Sequence, residues 1–444
     1  MNITLKKASC SKTLLATLIM LLATPAMTAQ DDNEPKPNLF TIDAELMTRG
    51  EIRRGGLPSS EDDNDNAANF ILERTRIGLD YERSFLKAHV TAQHSAVWGQ
   101  AGKGQFTIHE AWTQLTARNG LFAKVGRQVL SYDDERIIGS NDWAVAALSH
   151  DLLKLGWENP SHKIHAMLAY NQNGESVNGG TDYIGGDKPY KVMEALWYHY
   201  QHPRVPIGAS LLMMNLGMQS TRDDSPHKTY NQQLVGTYLK YSPTNWSAEG
   251  SFYYQMGKSE EGIDIRAWMM SVKGTYKPNH QWKLNAGYDY LSGDKDFAVP
   301  QGGAIGLVQH KTIKGFSPAY GSHHKFYGAM DFFYVSTYVN GFTPGLQNLY
   351  AGVDYKPIGK INIGATYHYF LTATKLEYAH RPLGHEIELK VSYNPINFVT
   401  IAASYSYMRG TETMEYLKRV DSNRDLHWAW LSVTIKPTFL SHRF

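Results

Sequence analysis

The stretch from Arg74 to Glu82, RTRIGLDYE, decides the fold. Successive side chains of a strand point to opposite faces. Arg74, Arg76, Asp80 and Glu82 therefore share one face, and Thr75, Ile77, Leu79 and Tyr81 the other. A soluble sandwich would put the charged face in bulk water. A transmembrane barrel puts it in the lumen and turns the apolar row to lipid.

The same alternation recurs along the chain. Phe40, Ile42, Ala44 and Leu46 oppose Thr41, Asp43, Glu45 and Met47. Ile361, Ile363, Ala365, Tyr367 and Tyr369 alternate with Asn362, Gly364, Thr366 and His368, and Ile387, Leu389, Val391 and Tyr393 with Glu386, Glu388, Lys390 and Ser392. Connections take turns in length. Short ones fall at 118–121, 159–162, 242–245, 277–281, 357–360 and 394–397; long ones fall near 50–72, 130–148, 172–190, 217–231, 292–346, 372–383 and 409–424. One short-turn end and one long-loop end is the pattern of an outer-membrane barrel, with short turns periplasmic and long loops extracellular. The count is about eighteen strands, within two. The expected class is an all-β transmembrane antiparallel barrel over residues 39–444.

Composition agrees. Aromatic residues make up 12% of 444 residues, with 28 Tyr and 10 Trp, yet mean hydropathy is −0.41. One lipid face and one wet face account for both. Tyr238, Tyr241, Trp246, Tyr253, Tyr254, Tyr276 and Trp282 are expected at strand ends as an interfacial girdle. Lys6, Lys7 and Lys12 ahead of the apolar run Leu14–Ala23, with Ala26 and Ala29 beyond, read as a signal peptide over 1–29. An acidic, Pro-containing tail follows over 30–38. The single Cys10 lies in the targeting segment. The rest of the chain is close to neutral, which points to no nucleic-acid partner.

The segment Gly126–Trp143, GRQVLSYDDERIIGSNDW, resembles the outer-membrane alginate-export family. So do Arg74–Tyr81, Phe316–Phe332 (FSPAYGSHHKFYGAMDF) running on to Gly345–Tyr350, and Leu383–Tyr393 (LGHEIELKVSY), in the same order. The resemblance implies an eighteen-stranded barrel that passes an anionic polysaccharide through an arginine-lined constriction. On these motifs the lumen arginines fall at Arg74, Arg76, Arg127 and Arg136, with Asp142 as a pairing acid. The alginate exporter carries a long periplasmic loop late in its barrel as a plug; here that turn is only Asn394–Asn397.

Guanidinium groups suit such a cargo because they bind carboxylate through planar paired hydrogen bonds. They need acids to orient them, and Asp80, Glu82, Glu110, Asp133, Asp134, Glu135 and Asp142 are candidates. Strict alternation puts Arg74 and Arg76 on the polar face. Arg127 falls with Ala123 and Val125 on the apolar face, and turns inward only through a bulge at Gly126 or an infolded loop. Arg136 lies in the 130–148 loop, either infolded or solvated. Acids on the same wall (Asp43, Glu45, Glu386, Glu388) make the lumen mixed in sign.

The expected function is passive transport of acidic oligo- or polysaccharide, or similar small anions. The alternative is a general diffusion porin. No segment pairs a nucleophile with a base, so an enzyme is not expected, nor any cofactor. The run Glu61–Asn66 reads as a solvated loop, and His323 and His324 show no metal-ligand spacing. Expected partners are outer-membrane lipid, the anionic saccharide and periplasmic proteins.

Overall fold

The computed structural model describes residues 37–54, 66–100, 102–185, 190–294, 312–333, 343–376, 379–418 and 425–444. The signal-peptide segment, most of the tail over 30–38 and the acidic run from Glu61 to Asp65 lie outside the described residues. Strands run in chain order as β1 (Leu39–Arg54), β2 (Ala68–Arg83), β3 (Leu86–Val97), β4 (Gln105–Thr116), β5 (Leu121–Gln128), β6 (His150–Glu158) and β7 (His162–Tyr170). They continue as β8 (Val192–Gln201), β9 (Ile207–Gln219), β10 (Thr229–Tyr241), β11 (Trp246–Lys258), β12 (Asp264–Tyr276), β13 (Trp282–Leu291) and the two-residue β14 (Thr312–Ile313). The last are β15 (Leu346–Tyr355), β16 (Ile361–Leu371), β17 (Pro382–Tyr393), β18 (Val399–Gly410), β19 (Asp425–Ile435) and β20 (Thr438–Arg443), with helix α1 (Glu412–Lys418) before β19.

Consecutive wall strands pair antiparallel, and β1 closes the wall against β19 and β20. Closure leaves no unpaired edge, as lipid requires. β19 and β20 are halves of one strand. Pro437 has no N–H to donate, so the register shifts at Ile42/Asp43 and the Ala44 N–H reaches the Pro437 carbonyl at 3.0 Å. β14 pairs parallel with the start of β12 and lies apart from the wall sequence. The wall therefore has eighteen strands, as the alternation predicts.

Turn chemistry explains the short-turn end. Asn159 Oδ1 accepts the N–H groups of Ser161 and His162, and Asn279 Oδ1 those of Gln281 and Trp282. Such local bonds tie a tight hairpin. Leu79, Val125, Leu389 and Leu431 are exposed on the outer face, which lipid covers. Trp282 stacks on Tyr355 with ring centroids 4.3 Å apart, and Tyr241 meets Trp246 at 5.1 Å, both beside short turns. Two of the expected girdle residues, Tyr238 and Tyr253, instead face inward and are buried. They share the inner parity of Lys240 and Ser251, so alternation outranks aromatic character.

The core lies inside the barrel. The segments 129–149, after β5, and 312–333, between β13 and β15, fold into the lumen and join through a parallel bridge between Ile138 and Tyr320. Gly139 N–H donates to Tyr320 O at 2.9 Å, and Tyr320 N–H to Ile137 O at 3.0 Å. Leu130, Ile137, Ile138, Phe316, Tyr320, Tyr327, Met330 and Phe332 pack there against wall residues such as Met193, Leu216 and Met269. All six non-glycine residues with positive φ among those described (Asp133, Glu135, Asn141, Ala147, Ala319, Asp331) fall in these two segments. Their folding over-determines a backbone that L-residues rarely adopt.

Gly126, at φ 120°, lies so close to β4 that a Cβ would collide with the Ala111 carbonyl. Gly126→Ala is expected to lower stability by about 1–3 kcal/mol. The check is the temperature at which the unboiled barrel loses its fast mobility on a denaturing gel; an unchanged temperature would contradict the close approach.

Candidate functional site

Strands β1 to β4 carry one polar patch of the lumen. Glu45 stands opposite Arg76 and Met47 opposite Arg74 across β1 and β2. Arg74 is 2% exposed. Its Nε donates to Glu45 Oε1 at 2.7 Å, and its Nη1 to the carbonyls of Asp142 and Ala144 at 2.9 and 3.2 Å. Arg76 donates from Nη1 to Asp142 Oδ1 at 2.8 Å and from Nε to Gln93 at 2.7 Å. Burial raises the Asp142 carboxyl, but Arg74 and then Arg76 override it and hold it below the usual carboxylate range. The arginine pair thus grips the infolded segment, and Asp142 is the acid between them.

The extra residue in this wall sits in β4. The register against β3 shifts between Thr91 and Ala92, so His109 and Glu110 both face the lumen. Glu110 Oε2 accepts the Val129 N–H at 3.0 Å and Trp112 Nε1 at 3.1 Å, drawing the chain inward after β5. A cavity of about 530 Å³ opens here, lined by Asp43, Glu45, Arg76, His109, Asp142 and Lys436 among others.

Two arginines lie elsewhere than a pore surface. Arg127 does not turn inward: β5 keeps its parity, because the bulge is in the neighbouring strand. Arg127 faces outward, with two 2.8 Å bonds to Asp151 on β6 and one of 3.1 Å to Ile108 O. Arg136 is infolded but sealed, 2% exposed. It pairs with Asp289 and Asp134, each at 2.8 Å, with its guanidinium 4.1 Å from the Phe326 ring centroid. Asn348 Nδ2 holds the other Asp289 oxygen at 2.9 Å and the Phe326 carbonyl at 3.0 Å. Of the four arginines, Arg76 is the one lining the cavity. Asp80 lies 2.7 Å from His89 Nδ1, and Glu82 pairs with Lys87 at 3.0 Å.

Of the lumen lysines, the alternation placed Lys390 on the inner face but left Lys124, Lys154 and Lys273 unnamed. Lys124, Lys154, Lys273 and Lys390 share the inner parity of their strands. None has a carboxylate within 4.0 Å among the described residues. Counting by twos from Gln128, Leu152 and Ser271 reaches Lys124, Lys154 and Lys273. Trp143 closes the Gly126–Trp143 motif. It stacks on His324 at 4.1 Å and lies under the Arg49 guanidinium at 4.1 Å, fastening the infolded segments together and to β1. Among the described residues no three His, Cys, Asp or Glu side chains are placed to hold a metal ion.

A family model for alginate export matches residues 90–377, from β3 through both infolded segments to beyond β16. The chain belongs to the alginate-export family. Its barrel is similar to solved structures at low identity. OpdL of Pseudomonas aeruginosa has TM-score 0.61 and 12% identity over 90% of this chain and 99% of that one. OccK2 (OpdF) of Pseudomonas aeruginosa, in complex with glucuronate, has 0.58 and 13% over 90% and 98%. OccAB1 of Acinetobacter baumannii has 0.60 and 10% over 90% and 97%. No curated protein matches the sequence. This member of the alginate-export family is an outer-membrane channel barrel, and its infolded segments narrow it from within.

Removing one partner of a buried ion pair leaves the other uncompensated, at about 3–5 kcal/mol. Arg136→Ala is therefore expected to loosen both infolded segments and raise single-channel conductance, and Arg136→Met with Asp289→Leu to restore much of the original value. Unchanged conductance in Arg136→Ala would contradict the keystone role. Burial lifts the Asp133 carboxyl to about 6. Protonation is thus easier in the folded barrel, so its stabilising contribution is full below the ordinary aspartate range and is lost as pH rises through about 6. Melting between about pH 4 and about pH 7 should show a falling component that Asp133→Asn removes. Identical profiles would place Asp133 in solvent.

Proposed function

We propose that this channel passes carboxylate-bearing sugars, from uronate monomers to alginate-like chains, by passive diffusion. The observation that carries the reading is the set of four lumen lysines with no carboxylate within 4.0 Å among the described residues, Lys124, Lys154, Lys273 and Lys390. A cation without a fixed counter-ion, facing water inside low-dielectric walls, attracts mobile anions. Arg76 adds a guanidinium at the cavity, tempered by Asp142. That balance suits transport, since a site must bind weakly enough to release. OccK2, solved in complex with glucuronate, is a precedent for a uronate on a similar fold.

The mixed lining favours a second reading, a general diffusion porin. The cavity has Asp43, Glu45, Glu110 and Asp142 beside Arg76 and Lys436, which would weaken a preference for anions.

Reversal potential across a salt gradient in planar bilayers separates the two. The acidic-sugar reading expects anion preference, reduced in Lys273→Gln with Lys390→Gln and more weakly in Arg76→Ala. Cation preference, or selectivity indifferent to all three changes, would leave the general porin.

A further inference from the structure

Lys124 on β5 and Lys154 on β6 stand directly opposite each other on the lumen face. Opposed residues of neighbouring strands have Cβ atoms about 4.5–5.5 Å apart, and like charges there repel. Lys124 is 9% exposed. Its Nζ lies 3.4 Å from the Trp112 ring centroid, and Lys154 Nζ lies 5.9 Å from that of Phe122. The nearest acids, Glu110 and Glu158, act on the pair electrostatically but lie beyond ion-pair distance of it. Glu110 accepts from the Val129 N–H and from Trp112. Glu158 lies 2.8 Å from His165 Nε2 and 3.9 Å from Lys163. On the flanking strands, Gln114 faces Lys124 and Met167 faces Lys154, neither bringing a negative charge.

Two like charges are thus held side by side against aromatic rings, with no carboxylate within 4.0 Å of either among the described residues. Attraction for an anion is stronger there than in open water, because the surroundings screen less. We propose that Lys124 and Lys154 form a single subsite that holds one carboxylate of a passing acidic sugar. The two carboxylate oxygens accept from the two ammonium groups, and one negative charge relieves the repulsion between them. A neutral hydroxyl accepts a hydrogen bond but leaves the repulsion in place, so the subsite selects uronates over neutral sugars. Lysine suits the task because its ammonium is a compact point charge on a flexible stem. The inference rests on the acidic-sugar reading and deepens it to two named residues.

Glucuronate is the probe, with current in planar bilayers measured against potassium glucuronate concentration. The native barrel is expected to saturate. Lys124→Gln and Lys154→Gln should each raise the half-saturating concentration about tenfold, with little further rise in the double variant, because one anion is shared. Lys124→Arg should keep saturation, and unchanged gel mobility establishes that each variant folds. Effects that multiply in the double variant, a half-saturating concentration that the double variant leaves unchanged, or a native current that never saturates would each overturn the subsite. Those outcomes leave anion preference in the reversal potential intact. A native channel that prefers cations would instead remove the acidic-sugar reading itself.

Discussion

The Arg136–Asp289 pair joins the wall to everything inside it. Its partners come from β13, from the first infolded segment and, through Phe326, from the second. A barrel wall supports itself, since each strand satisfies the next. Chain folded into the lumen does not, and needs anchors that survive burial. A buried charge is tolerable only when paired and hydrogen-bonded. Arg136 has two carboxylates and two aromatic rings, and Asp289 has the guanidinium and Asn348. The strained backbone of the infolded segments is sustained by this anchor, by the Trp143–His324 stack and by the Arg74 grip on Asp142 and Ala144.

Arginine and lysine divide the lumen between two tasks. Guanidinium groups present several donors in a fixed plane, so they suit sites where several acceptors must be held at once. Arg74 and Arg136 do that and are nearly sealed, while Arg76 is half anchor and half cavity wall. Lysines each carry one compact charge on a flexible stem. Four of them face the lumen without an acid within ion-pair distance among the described residues. The constriction is shaped by arginine, and the proposed attraction for cargo belongs to lysine.

The fold was legible because a barrel writes itself locally. Alternation sets facing, loop parity sets topology, and both survive in a single sequence at places such as Arg74–Glu82. The break at Pro437, too, follows from a local property, its missing N–H. The site was half legible. Arg74, Arg76 and Asp142 do come together, because parity and motif agree for them. Arg127 faces outward because the extra residue sits at His109 in β4, and nothing local in the sequence says which of two paired strands bulges. Arg136 became an anchor through Asp289, which lies far along the chain, and long-range pairing has no local signature. Lys124, Lys154 and Lys273 were open to the same parity count that placed Arg74 and Lys390, but the family motif points to arginine.

The central claim is that the lumen beside the lysines holds a positive potential although the chain as a whole is nearly neutral. Asn285 lines a lumen cavity together with Lys273 and Lys325, and Cys10 is the sole native cysteine of the sequence. The direct measurement is the rate at which Asn285→Cys reacts with thiol reagents of equal size and opposite charge, in Cys10-free protein. The account predicts faster reaction with the anionic reagent, and a ratio that shrinks as salt rises. Equal rates, or faster reaction with the cationic reagent, would contradict it.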